Sequence, residues 1–325
     1  MHILTPETLK ILTRPGPRLP SVVDWLQSQV WSRSRFESLD SESYLGEGEK
    51  QVYQLEELLS TAADRFYDEL AGAAAQKKMI LDAALPSKPT AFVIFDGTSL
   101  REVPLFLQLA AASGHSVIEQ RVAYSALPSN TVDFVEQRLL GKAIGPKELP
   151  HRKELKEKGI RAYYYDAPIR THQIPANESA TLILWSAFPD VTYQDSGARF
   201  ARHFAELVPL FEAAWKNTVM QVPRGYRIIV TSDHGYIFFG AGLASNRPGH
   251  AGEVLDQERS KRFADTEPLP DPHPDLQILP EHRLAMLRGR IKNRPKGPAG
   301  NRLYRHGGLS LMEMLLPWVV LERNS

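Results

Sequence analysis

The sequence predicts an α/β domain with a mostly parallel central sheet and helices on both faces, preceded by an N-terminal helical region. Two observations carry this. From residue 90 onward, short continuous apolar runs alternate with helical patterns, as strands buried on both faces and their crossover helices require. Before residue 90, "EKQVYQLEELLSTAADRFYDELAGAAAQKKMILDAA" (49–84) repeats apolar residues three and four apart, the period of a helix.

The elements follow in order. Residues 1–40 carry Pro, Arg and Ser with little periodicity and are expected to wrap the surface. Pro86 and Pro89 end the helical stretch, so residues 1–85 are assigned to an N-terminal accessory region and 86–325 to the α/β domain. "TAFVIFDG" reads as a buried strand, "SLREVPLFLQLAAASG" as a helix closed by Gly114, and "HSVIEQRVAY" as a second strand. "NTVDFVEQRLLG" reads as a short helix with Gly141 past its end. "ATLILWSAF", "GARFARHFAELVPLFEAAWKN" and "YRIIVTSDHG" continue the alternation as strand, helix and strand. Residues 240–300 are rich in proline and basic residues and exceed an ordinary loop, so a lid-like excursion is expected there. "YRHGGLSLMEMLLPWVVLE" returns to helix and strand and closes the core.

Composition narrows the chemistry. The 325-residue chain has no cysteine, which excludes disulfides, thiolate nucleophiles and Cys-held zinc, so any metal must be held by His and carboxylates. The N-terminus lacks the apolar core of a signal peptide, and "LMEMLLPWVVL" is too short to span a bilayer, so a cytoplasmic protein without a membrane partner is expected. A formal net charge of +1 gives no global electrostatic case for binding nucleic acid.

Ligands of parallel α/β sheets sit beyond the carboxyl ends of the strands. Two strands end there in an acid: "VIFD" at Asp96, and "IVTSD" at Asp233, followed by His234. Two carboxylates and an imidazole suit zinc, manganese or iron; a strand-end Asp can equally cap the next turn. Thr131, in "ALPSNTVDFVEQRLLG", falls at a helix start, where a hydroxyl among free N–H groups favours an anion or serves as a plain cap. His306, before two glycines in "RLYRHGGLS", is either a ligand or a loop residue. There is no G-x-S-x-G turn and no G-x-x-x-x-G-K-[ST] loop, so a serine hydrolase of that type and a P-loop nucleotide hydrolase are not indicated.

The order "VIFDG", "LPSNT…RLLG", "VTSDHG" and late "HGGLS" resembles the alkaline-phosphatase superfamily, and within it the PglZ domain of bacterial phage-exclusion systems. The resemblance covers roughly residues 90–320 and leaves residues 1–85 uncovered. It implies an alkaline-phosphatase-like core and two divalent metal ions, zinc or alternatively manganese, about 4 Å apart across a phosphoryl group. It also implies a phosphodiesterase or phosphatase acting on a phosphate ester or nucleotide, with other defence-system proteins as partners. By position, Asp96, Asp233 and His234 hold one metal, Thr131 is ligand and nucleophile, and His306 and Asp190 belong to the second. Four residues after Asp190 the family carries His, Asp or Glu, whereas this chain has Gln194. Asp195 is the available substitute, and His203 lies on a helix. A weakened second site implies the alternative of a catalytically inactive interaction protein of the same fold. Arg259, Lys261 and Arg262, in the excursion, are expected either to contact substrate phosphates or to form a solvated basic loop.

Overall fold

The computed structural model describes residues 10, 15–62, 65–76, 78–85, 87–169, 172–175, 180–193, 200–240, 243, 250–256, 258–291 and 303–324. Its strands, in chain order, are β1 (Thr90–Phe95), β2 (His115–Tyr124), β3 (Ile160–Tyr165), β4 (Thr181–Ser186), β5 (Arg227–Thr231), β6 (Ile237–Phe238), β7 (Ser260–Arg262), β8 (Leu276–Leu279), β9 (Leu284–Leu287), β10 (Tyr304–Arg305) and β11 (Leu315–Arg323). Six of them form one sheet in the order β2-β11-β5-β1-β4-β3. β1 runs parallel to both β4 and β5, and β4 parallel to β3. β11 alone runs the other way, antiparallel to β2 and β5. The fold is therefore mixed α/β on a mostly parallel sheet, as the alternation of apolar runs predicts.

The central strands send alternate side chains to two cores. Ala91, Val93 and Phe95 of β1 join Leu182, Leu184, Ile228 and Val230 on one face. Phe92 and Ile94 join Ile183, Trp185 and Ile229 on the other. Both faces are covered, which is why these strands read as unbroken apolar runs. The first face is packed by helices Val103–Ala112 and Phe200–Asn217; Phe211 and Trp215 of the latter lie with ring centroids 6.4 Å from that of Phe95. The second face is packed by the turn Ile80–Ala83 and by helix Thr131–Phe134, which continues as a π-helical segment, Val135–Leu140, before Gly141.

Several expectations change. Residues in the 1–40 segment do not simply wrap the surface: helices Leu19–Trp25 and Arg33–Ser38 flank a π-helical turn, Leu26–Val30. Leu19, Val22, Leu26, Val30 and Trp31 are buried in the same core as β1. Their helical spacing is present in the sequence but diluted by intervening Pro20, Ser21, Gln27, Ser28 and Gln29. The 49–84 stretch is two helices, Ser41–Ala62 and Phe66–Ala75, followed by the Ile80–Ala83 turn. β3, "IRAYYY", lies at the sheet edge with mixed burial and has no strong apolar run. Within 240–300, the described residues include a three-stranded antiparallel sheet, β7-β9-β8, with its own small core around Leu255, Phe263 and Leu287. It is tied to the segment after β10 by Leu309, which bonds Leu287 and Gly289 through the main chain.

Candidate metal centre

The carboxyl ends of β4, β1 and β5 are neighbours, and their residues converge. Ser232 joins two of these ends: its hydroxyl accepts from Thr98 N at 2.9 Å and donates to Phe95 O at 2.6 Å. Asp233 Oδ1 accepts from Gly97 N at 3.2 Å. Asp190, just after β4, donates its backbone N–H to Asp96 O at 3.0 Å. Two glycines permit this crowding. Gly97 has φ +81°, and a Cβ there would lie 3.1 Å from Asp190 Cβ. A Cβ at Gly235 would lie 2.0 Å from Met312 O, so only glycine lets the chain after His234 pass that backbone.

Asp96, Asp233 and His234 are buried at the base of the crevice, while Asp190, Thr131 and His306 are partly exposed at its mouth. Ligand atoms of Asp96, Asp233 and His234 lie within 4.8 Å of one another, as do those of Asp190, His234 and His306. The two imidazoles stack, with centroids 3.9 Å apart and planes 13° from parallel. His234 Nδ1 bonds the carbonyl of Gly235 at 2.9 Å, and His306 Nδ1 bonds that of Ser129 at 3.2 Å. A carbonyl only accepts, so each ring donates from Nδ1, and Nε2 is the nitrogen left to ligate.

Thr131 is the first residue of its helix, capped by the Asn130 side chain. Its Oγ1 donates to Asp233 Oδ2 at 2.7 Å and lies 3.3 Å from His234 Nε2. His234 Nε2 is also 3.5 Å from Asp96 Oδ1 and 3.6 Å from Asp233 Oδ2. No hydrogen bond links His234 Nε2 to either carboxylate at these distances. Among the described residues Asp96 Oδ1 is buried without a hydrogen-bond partner, and Oδ2 accepts from Trp185 Nε1 at 3.2 Å. A cation resolves this arrangement: bonds of about 2.0–2.1 Å in a tetrahedral array set neighbouring donors about 3.3 Å apart. The donor set therefore fits a divalent metal.

Electrostatics agree. Burial, then the Asp233 carboxylate, then that of Asp190, push the Asp96 carboxyl well above the ordinary range. Burial and then His234 lower the His306 imidazole, keeping it neutral and able to ligate.

The other candidates are placed as follows. Asp190 Oδ1 lies 3.9 Å from His306 Nε2, so these two are together. Gln194, Asp195 and the side chain of His203 lie outside the described residues. Arg259 does not face the crevice, contrary to expectation. Its guanidinium is fully buried and bonds both carboxylate oxygens of Glu313 and the carbonyls of Gly289 and Ile291. Lys261 pairs with Asp256 and Glu267 at 3.0 and 3.2 Å. Arg262 reaches the loop before Thr131, bonding Leu127 O at 2.9 Å and the Asp133 carboxylate.

The sequence reading overlooked the residues that orient the ligands. Ser129 accepts from Gly307 N at 3.1 Å and donates to Gly308 O at 2.9 Å, locking the turn after His306. Glu313 Oε1 accepts from Gly308 N at 2.9 Å, and its backbone carbonyl accepts from Gly235 N at 3.0 Å. One residue therefore braces the chain after both histidines. The available signal was an acid inside the apolar run "LMEMLLP".

No family model and no curated protein matches this chain. Among solved structures it is similar to phosphonoacetate hydrolase from Sinorhizobium meliloti in complex with phosphonoacetate, at 13% identity over 72% of this chain and 90% of that one, with a TM-score of 0.39. It is also similar to murine ectonucleotide pyrophosphatase/phosphodiesterase 5, at 14% identity over 72% of this chain and 88% of that one, TM-score 0.44. An inactive variant of the murine protein in complex with AMP gives 13% identity, 72% and 87% coverage, and the same TM-score of 0.44.

Proposed function

We propose that this chain is a metal-dependent phosphoric ester hydrolase, a phosphodiesterase or phosphatase, with Thr131 as nucleophile. The observation that carries the reading is the position of Thr131 Oγ1, 2.7 Å from Asp233 Oδ2 and 3.3 Å from His234 Nε2, at a cluster otherwise made only of acceptors. Asp96, Asp233 and His234 would hold one divalent ion and Asp190 and His306 a second, zinc or manganese. Such ions neutralise phosphate charge and lower the pKa of the attacking hydroxyl.

Thr131 Oγ1 attacks phosphorus, its proton passing along the existing hydrogen bond to Asp233 Oδ2, and the ester oxygen departs. Water then attacks the phosphothreonine, releasing phosphate or its monoester and restoring the hydroxyl. The chain positions these atoms through rigid strand ends and through the Asn130 cap, which fixes the turn bearing Thr131. The resemblance to PglZ domains extends the proposal to a phage-defence system with other proteins of that system as partners. Gln194, where the family carries a ligand, supports a second reading: an interaction protein whose second metal position is lost.

The test uses protein stripped with chelator, resupplied with zinc or manganese, and assayed on chromogenic phosphate mono- and diesters beside Thr131→Ala. Turnover that returns with metal and is absent from Thr131→Ala supports the hydrolase. A folded, metal-binding protein without turnover on either ester supports the interaction reading.

A further inference from the structure

Away from the crevice, a cavity of about 370 Å³ opens between the Ile80–Ala83 turn, strands β2 and β11, and the helical unit that begins at Thr131. This is within the range of small-molecule sites, about 300–1,000 Å³. Met79, Val122 and Trp318 give it apolar walls, and Lys78, Arg121 and Arg138 bring three cations to it. Asp82, exposed at the rim, is the one acid among its described lining residues.

Arg138 is the unusual member. Its side chain is buried, and its terminal nitrogens bond the carbonyls of Ala74, Gln76 and Ser125. Among the described residues no carboxylate pairs with it, and burial lowers its pKa. Among the described residues Nε has no partner, nor has Trp318 Nε1 in the same wall. Buried cations are ordinarily paired with an anion, because removing a charge from water is costly unless another charge compensates it. Lys78 has no ion-pair partner among the described residues. Arg121 is partly compensated, by Glu119 at 2.8 Å, and its guanidinium lies 4.1 Å from the centre of the Trp318 ring.

We propose that this cavity binds a small organic anion, its carboxylate or phosphate facing Lys78 and Arg138 and its apolar body against Met79, Val122 and Trp318. The site is distinct from the metal centre. None of Asp96, Thr131, Asp190, Asp233, His234 and His306 lines the cavity.

The experiment is calorimetric titration of chelator-stripped full-length protein with phenylphosphonate and, separately, with benzoate. Neither probe has an ester to cleave, and the two arms separate a phosphate-type from a carboxylate-type ligand. Saturable one-to-one binding of either is expected, weakened about tenfold in Lys78→Glu and in Arg121→Glu and unchanged in Thr131→Ala. Both reversed residues are exposed, so these variants are expected to keep the fold, which circular dichroism checks. Failure of both probes to bind in the millimolar range overturns the proposal. So does equal affinity in both charge-reversal variants, or loss of binding in Thr131→Ala, which would place the probe in the crevice.

Discussion

Arg259 and Glu313 form a two-pronged ion pair sealed from solvent, Nε to Oε1 at 2.7 Å and Nη2 to Oε2 at 2.8 Å. The pair stands directly behind the metal centre, because Glu313 also holds Gly308 after His306 and Gly235 after His234. Burial alone would push the Glu313 carboxyl up; the Arg259 guanidinium more than offsets this and holds it below the usual range. Arg259→Leu leaves a buried carboxylate without its cation, with an expected loss of about 3–5 kcal/mol in urea unfolding. Arg259→Leu combined with Glu313→Gln is expected to lose less than the single variant, since no buried charge is then stranded. Equal losses in both would mean that the pair contributes packing rather than charge compensation.

Thr131→Ser keeps a hydroxyl 2.7 Å from Asp233 if the backbone is unchanged, whereas Thr131→Ala removes it. The expectation is measurable turnover in the serine variant and a loss of about a thousandfold or more in the alanine variant. Thermal midpoints of both metal-loaded variants should stay near wild type, because Asn130 supplies the helix cap and Thr131 does not. Turnover of Thr131→Ala at the wild-type rate would remove this residue from the mechanism.

Asp96 should show stability and function in opposition. It is buried beside two other carboxylates and has an oxygen without a partner, so in metal-free protein it is a source of strain on the fold. Asp96→Asn removes the group whose charged form burial and the two neighbouring carboxylates disfavour, and is expected to raise the metal-free protein's stability at pH values where the wild-type carboxyl must ionise. The same change should weaken metal binding and abolish the stabilisation that added metal gives the wild type. Unfolding curves with and without zinc measure both effects. A less stable metal-free Asp96→Asn protein would show that the carboxylate cluster is held together without a cation.

Much of this centre was legible in the sequence for a physical reason. A buried strand is a continuous apolar run, so the acid that ends it is conspicuous, and Asp96, Asp233 and His234 all stand at such ends. Thr131 was legible from Pro128 and the helical pattern after it. The residues that orient these groups were not. Ser129, Trp185 and Glu313 act through contacts 54 to 179 positions apart along the chain: Arg259 to Glu313 is 54, Trp185 to Asp96 is 89 and Ser129 to Gly308 is 179. No local periodicity records such pairings. Arg259 illustrates the opposite error: a basic cluster reads as solvated or ligand-facing, yet its first member is the cation of a buried pair. The N-terminal helices were obscured because Pro20 and the polar Ser and Gln residues dilute the spacing of Leu19, Val22, Leu26 and Val30, which the common core with β1 makes evident.

Glu56 gives a pH dependence whose sign follows from its surroundings. Its carboxyl is buried, Oε1 accepts from Leu311 N at 2.7 Å and Oε2 has no partner. Burial pushes it up to about 7 from 4.5; Arg290 and the Leu311 N–H pull against this, Glu313 adds to it and Arg259 opposes it. Between those two values the folded protein keeps a proton that the unfolded chain has released. The contribution to stability is therefore complete on the acid side, falls as pH rises through the window, and is level above pH 7, a total change of about 3 kcal/mol. Glu56→Gln keeps the oxygen that accepts from Leu311 and carries no charge at any pH. It should match wild type near the acid end, exceed it in stability above neutrality, and show a flatter profile between. Denaturation of both proteins across this range decides the matter: parallel profiles would mean that Glu56 has an ordinary carboxylate pKa and that its burial is relieved by a partner or by water.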